Sequence, residues 1–181
     1  MKKCAFLTEM TFTGKIPNGF PNMRTEFAWM NALDADHYNI NRYNGVAGYD
    51  YVFLIIPKGQ VNLSAEGSEL IQRPNSVSSL LESDFISRLK GNNGNVFYVQ
   101  EGPHWWHNDY NAQDQINFYM ALYQCDGIFC HNDSDLVYYK GILPNHNVMV
   151  IPTLMNDHLV KQLLPAEVED KVIIGGNFAR W

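Results

Sequence analysis

Short apolar runs separated by amphipathic segments dominate the first 164 residues of this chain. Several runs are apolar without alternation, as in strands that are buried on both faces of a parallel sheet. They predict six strands, at Lys3–Thr8, Tyr38–Arg42, Tyr51–Pro57, Asn95–Gln100, Gly127–His131 and Asn147–Pro152. The segments between them predict helices at Met23–Leu33, Val77–Lys90, Gln113–Tyr123, Ser134–Gly141 and Asn156–Leu164. This alternation predicts a three-layer α/β domain, with a mainly parallel sheet of about six strands and helices on both faces.

The last residues of the sequence predict the beginning of a second unit. An acidic segment opens at Pro165 and has the character of an interdomain linker. A β-branched run follows, and then Gly175 and Gly176, whose backbone N–H groups are suited to a phosphate. We therefore divide the chain into a domain at 1–164 and, at 165–181, a linker with the first strand of a missing or incomplete second domain. We expect the reading frame to continue past Trp181.

Composition and charge exclude several classes of partner. The chain is 46% hydrophobic and 18% charged, which is typical of a folded globular protein. Its net charge of -6 and its 13 dispersed Lys and Arg residues disfavour binding to a nucleic-acid backbone. No stretch approaches the ~20 apolar residues of a membrane span, and no signal peptide is recognisable, so we predict a cytoplasmic protein. The three cysteines lack C-x-x-C spacing, which predicts neither a disulfide framework nor a zinc site.

A long loop follows the first predicted strand, where the carboxyl edge of the sheet would bind ligands. It runs over residues 9–22, whereas connecting loops of this kind usually have about 2–6 residues. It contains Gly14, Asn18 and Gly19 but lacks the full G-x-G-x-x-G fingerprint of dinucleotide-binding proteins. The length of this loop favours a functional role, because loops carry function on rigid scaffolds. The alternative is an ordinary surface loop.

The loop after the fourth predicted strand has the densest group of chemically capable side chains. Its Trp105 and Trp106 could stack on a sugar or another ring. Four neighbours could bind hydroxyl groups or transfer protons, namely Glu101, His104, His107 and Asp109. The alternative is that the indoles cover the edge of the core and the histidines are solvated. The His104 and His107 spacing does not favour a metal, because Pro103 argues against the helix that such a pair requires.

Two polar residues lie at the carboxyl end of the fifth predicted strand: His131 ends it and Asn132 follows it. They lie at the same predicted edge, so we include them among the ligand-binding candidates. The alternative is that they cap the helix that follows, since Asn is a favoured N-cap residue, or that His131 bonds a neighbouring loop.

The order of these elements resembles the N-terminal, acceptor-side domain of a glycosyltransferase of the GT-B architecture, in which two Rossmann-like domains face each other across a cleft. The resemblance covers nearly the whole chain. It is carried by the Gly14–Gly19 loop, the turn at Gln100–Pro103, the strand at Cys125–Asn132, the segment Val148–Thr153 before the linker, and the closing strand and turn at 172–177.

This resemblance implies that the chain supplies the acceptor half of a cleft. The ligand contacts would come from Gly14, Asn18 and Gly19 in the first long loop, and from Glu101, His104, Trp105 and Trp106 in the loop after the fourth strand. The resemblance also implies a base that deprotonates the acceptor hydroxyl, for which the candidates are Glu9, Glu101 and His104. A nucleotide-sugar and an unidentified acceptor would be the partners of the full-length enzyme. Of the donor site, only Gly175 and Gly176 are present, so we expect no turnover by the isolated chain. No metal or other cofactor is predicted.

Two other classes of protein remain open. One is a complete, flavodoxin-like module that binds a small ligand without catalysis, in which the last strand joins the same sheet. The other is a small single-domain hydrolase or nucleoside-processing enzyme built on Glu101, His104 and Asp109, although the chain contains neither a G-x-S-x-G motif nor a P-loop. If a second domain is missing, the exposed domain face or the strand at 172–174 would promote self-association.

Overall fold

The computed structural model describes residues 2–17, 20, 24–40, 46–56, 85–100, 102, 104 and 112–154. Within these ranges it contains six strands and four helices. The strands are β1 (Cys4–Thr8), β2 (Asp36–Asn39), β3 (Tyr51–Leu54), β4 (Asn95–Val99), β5 (Gly127–Cys130) and β6 (Val148–Val150). The helices are α1 (Thr25–Ala32), α2 (Phe85–Asn92), α3 (Ala112–Gln124) and α4 (Asp133–Ile142).

The six strands form one parallel sheet in the order β2-β1-β3-β4-β5-β6. This arrangement confirms the predicted Rossmann-like α/β class. The predicted bounds of β2 were wrong, because the strand begins at Asp36, two residues before Tyr38. Asp36 stands opposite Ala5 in the β1–β2 ladder, so hydrogen bonding to the neighbouring strand, and not local hydrophobicity, decides where β2 begins.

The strand order begins as 2-1-3-4-5, which is the flavodoxin-like form of a doubly wound sheet, and β6 extends it by one strand. The chain moves outward from β1 to β2 and then returns past β1 to β3. The winding direction therefore reverses between β1 and β3. In such sheets ligands bind beside this point, at the carboxyl ends of the strands.

Helices cover both faces of the sheet, as predicted. On one face, buried residues of α2, α3 and α4 pack against one side of the strands. This core includes Ala5, Leu7, Val52, Leu54, Val96, Tyr98, Leu89, Phe118, Leu122 and Tyr139. On the other face, α1 contributes Phe27, Trp29 and Met30, which pack against Cys4 and Phe6. Because β1 contributes to both cores, it is buried along its whole length.

A turn at Asn93–Gly94 fixes the start of β4. The Asn93 side chain donates hydrogen bonds to the carbonyl oxygens of Val46 and Leu89, at 2.8 and 2.9 Å. A Cβ atom on Gly94 would lie 2.3 Å from the carbonyl oxygen of Asp50. The backbones approach so closely here that only glycine fits.

Several predictions fall outside the described residues and stay predictions. They concern the helix at Asn156–Leu164, the linker and second unit at 165–181, and self-association through the strand at 172–174. None of the helices that the structure describes has the length and apolar character needed to cross a membrane.

Candidate functional site

A cleft of about 280 Å³ lies at the carboxyl edge of the sheet, where the winding direction reverses. The first turn of α1 and the residue before it form one wall, with Arg24 and Glu26, and Trp29 lies one turn further along. The opposite wall comes from the ends of β4 and β5, with Gln100 and His131. The cleft therefore occupies the position that the strand order assigns to a ligand.

The floor of the cleft is apolar. Ile55, which follows β3, and Val99 at the end of β4 are both buried. The imidazole ring of His131 stacks on the indole of Trp29, with 5.6 Å between the ring centroids and 16° between the planes. This contact ties the end of β5 to α1 across the sheet edge.

The charged groups of the α1 wall are already paired with one another. Arg24 Nε lies 2.5 Å from Glu26 Oε1, and Arg24 Nη1 lies 3.5 Å from Glu9 Oε1. One guanidinium thus faces two carboxylates, so this wall carries no excess positive charge. The structure places Glu9, one of the predicted bases, beside the cleft in an ion pair with Arg24.

Three polar atoms that belong to lining residues are buried without a hydrogen-bond partner. They are Gln100 Oε1, His131 Nδ1 and Glu26 Oε1. Glu26 Oε1 contacts Arg24 at ion-pair distance, but the N–H group is not directed at it. Buried polar atoms are nearly always satisfied by protein, water or ligand, so their grouping around one cleft is unusual.

A second group of polar residues lies at the same edge, between the loop after β4 and the first turn of α4. His104 Nδ1 lies 2.6 Å from Asp135 Oδ1, and the Asp135 carboxylate is 5% exposed. The imidazole of His104 also stacks on the ring of Tyr138, at 4.1 Å between centroids. The carboxylate and the tyrosine together fix the position and the plane of the histidine.

Asn132 holds Asp135 in place. The Asn132 side chain accepts a hydrogen bond from the Asp135 backbone N–H at 2.9 Å, which caps α4. Its Nδ2 group donates to Asp135 Oδ2 at 2.8 Å. The alternative considered for Asn132, that it caps the following helix, is confirmed. Its role as a ligand-binding residue stays a prediction.

Gly14 lies at the outer edge of the sheet, beside β2. It exchanges two backbone hydrogen bonds of 2.8 Å with His37, and its φ of +89° is a conformation that favours glycine. The buried His37 side chain contacts Thr8 Oγ1 at 2.8 Å and donates to the Phe12 carbonyl oxygen at 2.7 Å. These contacts anchor the first half of the long loop, and they account for Gly14 in structural terms.

The remaining predicted site residues lie outside the described part of the chain, so their roles stay predictions. These are Asn18, Gly19, Glu101, Trp105, Trp106, His107, Gly175 and Gly176. Asp109, which belongs to the hydrolase alternative, also lies outside the described part of the chain.

Sequence reasoning missed Asp135, Glu26 and Arg24. Asp135 had a usable signal, because it stands three residues after Asn132, at the spacing of a capping box. No sequence signal indicated the pair of Arg24 and Glu26, since each looked like an ordinary charged residue at the beginning of a helix.

A larger cleft of about 610 Å³ lies on the α1 face, towards the amino ends of the strands. Its wall includes three stacked or tilted rings, from Phe53, Phe97 and Phe129, with centroids 5.1 to 6.0 Å apart. Lys2 and Cys4 line its end. The described lining is largely apolar and holds no pair of groups suited to proton transfer, so we place the functional site at the carboxyl edge.

No group of three His, Cys, Asp or Glu residues within the described ranges is arranged to hold a metal ion.

Comparison with protein-family models, with curated proteins and with solved structures finds no match to this chain. The fold and site define a doubly wound, parallel α/β protein with a polar cleft at its switch point.

Proposed function

We propose that this chain is the acceptor-binding half of a glycosyltransferase, which transfers a sugar from a nucleotide-sugar to a hydroxyl group. The observation that carries the proposal is the contact of 2.6 Å between His104 and the buried Asp135 at the carboxyl edge of the sheet. His104 is one of the bases predicted from the sequence.

The contact determines which nitrogen of His104 can act as a base. An ionised carboxylate only accepts hydrogen bonds, so Nδ1 carries the proton that faces Asp135. In the neutral ring, Nε2 then holds the free lone pair and can take a proton from an acceptor hydroxyl. Asp135 would stabilise the imidazolium that forms, as the carboxylate does in other Asp–His pairs.

The cleft at the carboxyl edge of the sheet is the proposed place for the acceptor. Gln100 lines the cleft and precedes His104 by only four residues. The His131 ring donates to the Gln100 carbonyl oxygen at 2.8 Å, and His104 contacts Asp135 on α4. The turn after β4 is thus attached at two points, which is the preorganisation that a catalytic group requires.

The donor half of the reaction is expected to come from a second domain. The sequence interpretation assigns the predicted phosphate-binding residues, Gly175 and Gly176, to that proposed unit. Without it only one substrate is held, so the isolated chain should not transfer sugar, because proximity catalysis needs both substrates.

The test is a transfer assay on the complete product of the gene, with a panel of nucleotide-sugars and with release of the nucleotide as the readout. His104→Gln should lower kcat by about 10²- to 10⁴-fold, the usual range for loss of a general base. His146→Gln is the matched control, because His146 precedes β6 at the opposite edge of the sheet. Transfer that does not depend on His104, or no transfer with any donor, would contradict the proposal.

A second candidate is favoured by the strand order, which is that of flavodoxin-like proteins. In this case the same cleft would bind a small ligand, and no transfer would follow. Ligand binding by the 181-residue chain, together with an inactive complete gene product, would favour this candidate over the transferase.

A further inference from the structure

The buried polar atoms of the cleft at the switch point that have no hydrogen-bond partner are all hydrogen-bond acceptors. The Gln100 amide nitrogen donates to the Gly102 carbonyl oxygen at 2.5 Å. Because a carbonyl oxygen can only accept, this contact fixes the orientation of the amide. The atom left without a partner is therefore the acceptor Oε1, on a side chain that is 1% exposed.

A contact with a carbonyl oxygen also fixes the tautomer of His131. Its Nε2 lies 2.8 Å from the Gln100 carbonyl oxygen, so Nε2 must carry the hydrogen. In the neutral ring, Nδ1 is then an acceptor, and it is buried without a partner. Glu26 Oε1 is a third acceptor, because a carboxylate oxygen carries no hydrogen.

Two neutral acceptors have no donor, and the carboxylate oxygen of Glu26 has only an ion-pair contact with Arg24 that is not aligned as a hydrogen bond. Together they select the ligand by its polarity. A ligand that satisfies them must bring O–H or N–H groups, whereas a phosphate or carboxylate would bring further acceptors. The local charge also disfavours an anionic ligand, since Arg24 already faces Glu9 and Glu26. An anion would meet two carboxylates around one guanidinium, so anion binding is disfavoured.

The other walls of the cleft require an apolar surface on the ligand. Ile55 and Val99 form the floor, and the stacked rings of Trp29 and His131 form one side. At about 280 Å³ the cleft lies near the lower limit of roughly 300 Å³ for ligand pockets, which suits about one ring. A ring with hydroxyl groups on its edge and C–H groups on its face has both properties.

We propose that this cleft binds a neutral polyhydroxylated ring, such as a single sugar, whose hydroxyl groups donate to Gln100 Oε1, His131 Nδ1 and Glu26 Oε1. The assignment of this ring as the acceptor of a transfer reaction rests on the function proposed above. The binding itself does not require transfer.

The experiment is a titration of the 181-residue chain with D-glucose and with myo-inositol, followed by calorimetry and by the NMR signals of the tryptophan indoles. The anion and amine probes are inorganic phosphate and propylamine. We expect the rings to bind and phosphate not to bind, at concentrations up to about 100 mM, well above the ~1 mM constant of a weak complex.

Gln100→Met removes the acceptor and keeps the length of the side chain. It should weaken ring binding about 3- to 10-fold, the effect of one neutral hydrogen bond. Gln113→Met is the matched control, since Gln113 is exposed on α3, outside the lining of the cleft. His131→Phe keeps an aromatic ring beside Trp29 and removes Nδ1, so it gives a second test if Gln100→Met does not fold.

Preferential binding of phosphate or of propylamine would overturn the proposal, as would no binding of either ring or equal binding by Gln100→Met and the wild type. The two proposals fail separately. Ring binding without any sugar transfer would reject the transferase and keep the polyol site. Transfer to an acceptor that does not need Gln100 or His131 would reject the polyol site alone.

Discussion

His104 and Asp135 are separated by 31 residues in the sequence, yet His104 Nδ1 lies 2.6 Å from Asp135 Oδ1. One belongs to the loop after β4 and the other to the first turn of α4, after β5. Parallel pairing of β4 with β5 brings their carboxyl ends to the same edge. The pair therefore depends on the pairing of the two strands in the sheet.

Asp135→Asn tests the role of this pair in the proposed reaction. An amide can present either its oxygen or its N–H group to Nδ1, so the variant no longer fixes the proton on that nitrogen. We expect kcat for sugar transfer to fall by about 10²-fold or more, towards the 10⁴-fold of the equivalent change in a Ser protease. The measurement is the transfer assay on the complete gene product.

Asp133→Asn is the control for that variant. Asp133 stands in the same first turn of α4 but is exposed, so its loss removes a similar charge from the helix terminus. Equal activities of the two variants would show that the helix-terminal charge, and not orientation of His104, explains the loss.

Asn132→Ala should destabilise the fold. It removes the N-cap of α4, which typically lowers the free energy of unfolding by about 0.5–2 kcal/mol. It also removes the bond from Nδ2 to the buried Asp135 carboxylate, so we expect the upper half of this range. Urea denaturation measures the change. Asn132→Ser keeps a capping oxygen and should recover part of the loss; no recovery would argue against the capping role.

Two glycine substitutions should have opposite effects on stability. A methyl group at Gly94 meets the Asp50 carbonyl oxygen at 2.3 Å, and that oxygen also accepts from the Asn95 N–H at the start of β4. Gly94→Ala should therefore cost about 1–3 kcal/mol, as overpacking does. Gly91→Ala places its methyl group in open space within α2 and should stabilise by about 0.5–1 kcal/mol. Thermal unfolding of both variants gives the comparison, and a loss of stability in Gly91→Ala would contradict this explanation.

Stability should decline in mild acid because of His37. Burial lowers the pKa of His37 below its ordinary value of 6.5, although the hydrogen bond to the Phe12 carbonyl opposes the shift. The unfolded chain then binds a proton more readily than the folded chain. The contribution of neutral His37 to the free energy of unfolding is complete above about pH 6.5. It is lost as the pH falls from there towards the lower pKa that His37 has in the folded protein.

Urea denaturation at pH 7.5 and 5.5 would measure this dependence. His37→Gln should flatten the difference between the two conditions. Burial also lowers the pKa of His146, so His146→Gln should flatten it further. If stability changed equally in the wild type and in the double variant, histidine burial would not be the cause.

The unbroken apolar runs predicted the strands well, because a strand that is buried on both faces must be apolar along its length. Tyr51 and Asn95, where β3 and β4 begin, were both assigned correctly from sequence. The bounds of β2 were wrong, since pairing with β1 determines them. His104, His131 and Gln100 could be placed at the carboxyl edge from sequence, because each follows or ends a predicted strand.

The sequence by itself determined the α/β class and the set of segments that end at one edge, since periodicity and turn residues are local properties. Only the tertiary structure decided the strand order, the switch point between β1 and β3, and the contacts of His104 with Asp135 and His131 with Trp29. These depend on which strands become neighbours. Neighbour choice is set by packing of the whole core and leaves no signal in any single segment.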